Sequence, residues 1–178
     1  MSGGPRGGWR PALAGGVAVL TGLLAGCSGT TAEQGDQNVS RSPGRQVPYW
    51  MDGVTVESVA KTLQVQVPST ATEAKAAYQK GFQDDGLLLS FVLPTGAVDG
   101  FLTQLKPERP LRLREQPFVG EGKTTTPFSH LGLPEPDSLA GVREGVVCAP
   151  CEGDLNTLEV AVARVDDHDS RVYLRGVD

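Results

Sequence analysis

Leu87-Leu88-Leu89-Ser90-Phe91-Val92-Leu93 is the most apolar stretch downstream of the first thirty residues. It is seven residues long and lies between Gln83-Asp84-Asp85-Gly86 and Pro94. A short, unbroken apolar run bounded by turn residues is a strand buried on both faces. It therefore belongs at the centre of a sheet. Upstream, residues 69–82 admit two readings. Thr70 and Glu73 could open a helix as a capping box, closed by Gly81. That helix would bury only Ala74, Ala77 and Tyr78. The other reading is a strand that pairs with 87–93 through the Asp85-Gly86 turn signal, and it is the preferred one.

The same patterning extends outward. In Lys61–Val67 the apolar residues Leu63, Val65 and Val67 alternate with Gln64 and Gln66, which predicts a half-buried strand ending at Pro68. After Pro94, Thr95 is placed to cap a short helix through Leu105, with Val98, Phe101, Leu102 and Leu105 inward. Residues 106–141 hold six of the thirteen prolines and show no period. They read as irregular chain wrapped over the core. Leu158, Val160 and Val162 share one face, as do Val172 and Leu174. The polar turn 166–170 between them makes a C-terminal hairpin. Strands, a helix and more strands predict an α+β class: a single small domain, 48–178, with a largely antiparallel sheet and one or two short helices. About 130 residues suffice for one core.

The start of the chain has a different character. Arg6 and Arg10 precede fifteen small or apolar residues, Ala12–Gly26, without any acid. As a helix that run is about 22 Å long, short of the ~30 Å hydrocarbon core. It reads as a secretory signal peptide, residues 1–26. The run ends in Leu24-Ala25-Gly26-Cys27, which resembles the lipobox of bacterial lipoproteins at all four positions. The resemblance implies cleavage before Cys27, a diacylglyceryl group on its sulfur and acylation of its amine with a chain such as palmitate. Two or more chains anchor stably where one does not. Residues 27–47 are polar and small and read as a flexible tether, on the order of 25 Å in reach. The expected location is extracytoplasmic, on the outer face of the cell membrane. Without residues 1–26 the chain has 14 basic and 21 acidic side chains, a net charge of −7. That balance argues against nucleic acid as a partner.

The chemistry-bearing residues are few. Cys148-Ala149-Pro150-Cys151 is an even pair in an oxidising compartment and predicts a local disulfide. Cys-x-Pro-Cys is also shared with thioredoxin-like oxidoreductases, in which the motif opens a helix. Here an acidic, strand-like stretch follows it. A zinc site from Cys148, Cys151, His130 and His168 lacks ligand spacing. Asp166-Asp167-His168-Asp169 reads as a solvated turn, not a calcium loop. Gly120-Glu121-Gly122-Lys123-Thr124 lacks the leading glycine of a phosphate loop, with Pro117 in its place. Ser129 or His130 could join a catalytic triad only through an unforeseen spatial arrangement. Tyr49-Trp50 reads as packed on the domain edge. No catalytic residue, metal or cofactor is assigned.

Phe82-Gln83-Asp84-Asp85, Ser90-Phe91-Val92-Leu93-Pro94, the Cys148–Cys151 motif and the closing Val172–Asp178 together resemble small lipoproteins of high-GC actinobacteria. That likeness implies an envelope location and carries over no catalytic residue. The reading that follows is a lipid-anchored, non-enzymatic binding or accessory module. Its expected partners are the membrane, through the anchor, and another envelope protein or the cell wall. Its expected contact surfaces are 106–141 and Tyr49-Trp50. The alternative is a thiol–disulfide oxidoreductase using Cys148.

Overall fold

In a computed structural model, Gly86–Pro94 forms β3 and makes nine register pairs with β7, Asp169–Val177. These two strands lie side by side at the heart of a seven-stranded antiparallel sheet. Its other strands are β1 (Tyr49–Trp50), β2 (Thr72–Lys80), β4 (Arg112–Arg114), β5 (Val142–Cys148) and β6 (Thr157–Arg164). The order is β1-β2-β3-β7-β6-β5-β4. The structure describes residues 47–118 and 124–178. The expected signal peptide, the lipobox-like stretch with Cys27, and the expected tether up to residue 46 lie outside the described residues.

The apolar run of β3 has its physical reason in two covered faces. Leu87, Leu89, Phe91 and Leu93 enter the larger core with Val160, Val162, Val172 and Leu174. Two helices cover that face: α1, Val56–Thr62, and α2, Val98–Leu105. Phe101 of α2 meets Phe91 edge to face at 5.2 Å between centroids. Leu88 points to the opposite face and packs with Ala77, Phe128, Val142 and Tyr173. Among the described residues no α-helix covers this second face. Residues 124–141 form a strap across it, with single turns at Phe128–Leu131 and Pro136–Ser138. Phe128 is buried and meets Tyr173 edge to face at 5.0 Å. Phe128→Ala should cost about 3–5 kcal/mol.

The fold class is therefore α+β, one small domain dominated by an antiparallel sheet. Residues 72–80 are strand, as preferred over the helix. The loop to β3 is longer than a two-residue turn, because Gln79 is the residue paired with Gly86. The strand expected at 61–67 is absent. Thr55 and Ser58 form a reciprocal capping box, each backbone N–H donating to the other's hydroxyl at 3.1 Å. The helix they start buries Val59 and Ala60, and its C-cap residue Leu63 is buried beside them. Gln64 then takes φ +56°, and the Val65 N–H returns to the Ala60 carbonyl at 2.9 Å. Val65 is buried and Gln66 exposed, so the alternation survives as burial. It has no ladder partner because this segment is used to end a helix.

Thr95 does not cap α2. A single 3-10 turn, Thr95–Ala97, precedes the helix. The Thr95 N–H donates to the His168 carbonyl at 2.7 Å, and its hydroxyl lies 3.1 Å from that of Ser170. Thr95 thus pins the helix to the turn before β7. Among the described residues no helix is long and apolar enough to cross a membrane.

Candidate functional site

Among the described residues, Arg114, Arg175 and Lys75 hold the strap. Arg114, on β4, has a side chain only 13% exposed. Its guanidinium donates to the carbonyls of Gln116, Pro136, Asp137 and Leu139 at 2.7–3.2 Å, while its Nε meets Glu144 at 3.1 Å. A planar five-donor fork suits this task, since it satisfies scattered carbonyls from one point. Arg175, on β7, pairs with Glu135 at 2.9 Å and donates to the Thr126 carbonyl at 3.3 Å. It also lies over the Phe128 ring, 5.0 Å from the centroid. Lys75, on β2, reaches the Leu131 carbonyl at 2.9 Å. Trp50 stacks on His130 of the strap, with centroids 3.8 Å apart and planes 3° from parallel.

Beside the strap lies a groove of about 770 Å³. Its floor is the second sheet face, with Val146 of β5, Ala161 of β6 and Tyr173 of β7. One wall is the segment from Glu108 to Arg112, and the other is the strap at Pro136-Asp137. The volume falls within the ~300–1,000 Å³ common for ligand sites. Tyr173 is only 3% exposed. Burial raises its hydroxyl pKa; nearby Arg171 opposes this, and Glu135 adds to it.

The candidate residues of the sequence fall in separate places. Cys148 and Cys151 are joined by a disulfide, with Cα atoms 4.9 Å apart, and both pack against the first core. No helix begins there: the chain turns, and the Cys151 N–H donates to the Asn156 carbonyl at 3.2 Å. His130 is taken up by Trp50. His168 sits in the turn before β7, at the opposite end of that strand from the disulfide. There the Asp166 carboxylate accepts the N–H groups of His168 and Asp169 at 2.7 and 2.8 Å. Those two bonds hold its pKa below the usual range. The run 166–169 thus serves to close a turn. Among the described residues no group of three or more His, Cys, Asp or Glu could hold a metal ion. Most of the phosphate-loop-like stretch lies outside the described residues. Tyr49-Trp50 forms β1, and Trp50 packs on the second core.

Sequence reasoning missed Arg171, Tyr173, Arg175 and Arg114. The alternation that sends Val172 and Leu174 inward puts Arg171, Tyr173 and Arg175 on the other face of the strand, which is solvated in a one-faced sheet. The side chains of Arg171 and Arg175 are only 12% and 19% exposed. The one available signal was the proline-rich length of 106–141, which had to lie over something.

A second polar cluster closes the sheet at the β2–β3 loop. Tyr78 Oη lies 2.6 Å from the Asp85 carboxylate and 3.2 Å from that of Asp178. Lys80 pairs with Asp85, and the Gly81 N–H donates to it at 2.9 Å. Burial pushes the Asp85 pKa up, yet the bonds from Lys80, Tyr78 and Gly81 outweigh it and hold it below the usual carboxylate value. Tyr78 moves upward, first through burial and then through its bond to Asp85. Phe82 projects from this loop, 86% exposed.

Comparison with protein-family models, curated proteins and solved structures finds no match for this chain.

Proposed function

We propose that this chain is a lipid-anchored cell-envelope protein and that its domain is a non-enzymatic binding module, with the groove beside the strap as its recognition surface. The observation that carries the reading is that the groove is built in advance. Arg114 and Arg175 fix its strap wall to the sheet, so little ordering cost remains when a partner arrives. The lipobox at Cys27 supplies the membrane anchor, and the polar tether supplies reach. The partner is another envelope protein or the cell wall. The net negative charge speaks against nucleic acid, and the reading requires no cofactor.

Thiol–disulfide exchange at Cys148 is the second reading. The exposure of Ala149 and Pro150 beside the disulfide favours it. Against it stands the turn that follows, which offers no helix N-terminus to lower a thiol pKa.

Chemical crosslinking in intact cells tests the module, with wild type compared to Val146→Trp, which fills the groove from an exposed strand position. The expected result is a specific crosslinked partner that Val146→Trp loses while the domain stays folded. Cys27→Ala should leave the membrane fraction and lose its acyl mass. Reduction of a disulfide substrate by the protein, abolished by Cys148→Ser, would overturn the module in favour of the oxidoreductase.

A further inference from the structure

The ionic groups of the groove divide into engaged acids and unengaged donors. Glu144 meets Arg114 at 3.1 Å and Arg112 at 3.6 Å. Glu159 lies 3.9 Å from Arg175, and Asp137 lies 3.8 Å from Arg114. Glu108 accepts the Ala149 N–H at 3.0 Å. Arg109, by contrast, is exposed, lines the groove and forms no ion pair or hydrogen bond with any described residue. Arg112 keeps 82% of its side chain exposed behind a single long contact. Tyr173 lines the floor, and its hydroxyl bonds to no described residue. An acceptor that enters the groove can therefore take a hydrogen bond from it without displacing a partner on the sheet.

The charge around the groove sharpens the contrast. Residues 48–178 hold 12 basic and 19 acidic side chains, so an anion is repelled by most of the domain. The wall from Glu108 to Arg112 reverses that locally, with exposed Arg109 and Arg112 against Glu108. The floor runs across three strands, from Val146 through Ala161 to Tyr173. Two strand spacings are about 10 Å, the length of three extended residues.

We infer that the groove takes an extended acidic peptide segment, a deepening that rests on the binding-module reading. A carboxylate of the segment meets Arg109 and Arg112, whose guanidinium forks match its two oxygens. A neighbouring apolar side chain lies on Val146 and Ala161. A backbone carbonyl accepts the Tyr173 hydroxyl.

The test uses the full chain and three fluorescent hexapeptides that alternate Val with Glu, Gln or Lys, read by anisotropy at low and high salt. The Glu peptide should bind at least about tenfold more tightly than the other two, with the difference shrinking in salt. Arg109→Gln with Arg112→Gln should remove that preference. Tyr173→Phe, which keeps the ring against Phe128, should weaken binding several-fold without lowering Tm. Equal binding of the three peptides, or an acid preference that survives the double Gln variant, overturns the inference. So does the absence of any peptide binding. Loss of the cellular crosslink in Val146→Trp would then still stand for the module, whereas a crosslink indifferent to Val146→Trp would remove the module itself.

Discussion

Ser90 and Tyr173 stand opposite each other across the β3–β7 ladder, and the Ser90 hydroxyl is buried without a hydrogen-bond partner among the described residues. Tyr173 reaches the groove, whereas Ser90 is wholly buried. An orphaned buried hydroxyl destabilises by roughly 1–3 kcal/mol. Ser90→Ala should therefore leave stability unchanged or raise it by about 1 kcal/mol, read as the urea midpoint. A loss of that size would show that the Ser90 hydroxyl holds a bridging water.

The Asp85 cluster sets a pH dependence with a defined sign at each end. Its folded pKa lies below the unfolded value, so its contribution is present above the ordinary carboxylate range and fades as pH falls through the folded pKa. Tyr78 is shifted upward, so its contribution is whole below about pH 10 and fades as pH rises beyond that. Asp85→Asn should flatten the acid limb of a stability–pH curve. Tyr78→Phe should flatten the alkaline limb. An acid limb unchanged in Asp85→Asn would assign it to other carboxylates.

Arg114 should be the costliest surface-proximal residue to remove. Arg114→Ala frees four carbonyls and leaves Glu144 with its long contact to Arg112. A loss of about 3–5 kcal/mol is expected. Hydrogen exchange should accelerate across 124–141 ahead of β3 and β7. Lys should rescue little, since one ammonium cannot reach the same set of acceptors.

The central strands and the class of the fold were legible because β3, β6 and β7 carry uninterrupted or period-two apolar patterns. The helix at 56–62 was hidden by two features. Its buried face is only Val59 and Ala60, with Leu63 at its C-cap, and the next residues keep a strand-like alternation that leads into no ladder. The groove was illegible for a different reason. Arg171, Tyr173 and Arg175 occupy the positions that a one-faced sheet would send to water. Only the strap, anchored by contacts far apart in sequence such as Arg114 to Pro136 and Arg175 to Thr126, makes that face an interior. The disulfide was legible because its partners are three residues apart.

That disulfide closes a very short loop, so its removal should cost about 2 kcal/mol or less. Cys148→Ser with Cys151→Ser should unfold at modestly lower urea and keep the groove's peptide preference. Unreduced peptide mapping should find the segment lighter by two hydrogens. Full alkylation of freshly isolated protein would contradict the bond.

We propose that this domain meets its partner on the second face of the sheet and not on the helix-covered face. A photo-crosslinking amino acid placed at Val146, on the groove floor, and separately at Thr103, exposed on α2, tests it in intact cells. The expected result is a defined crosslinked product from position 146 that is absent from 103 and lost when Arg109 and Arg112 are both changed to Gln. A product from 103 with none from 146 would contradict it.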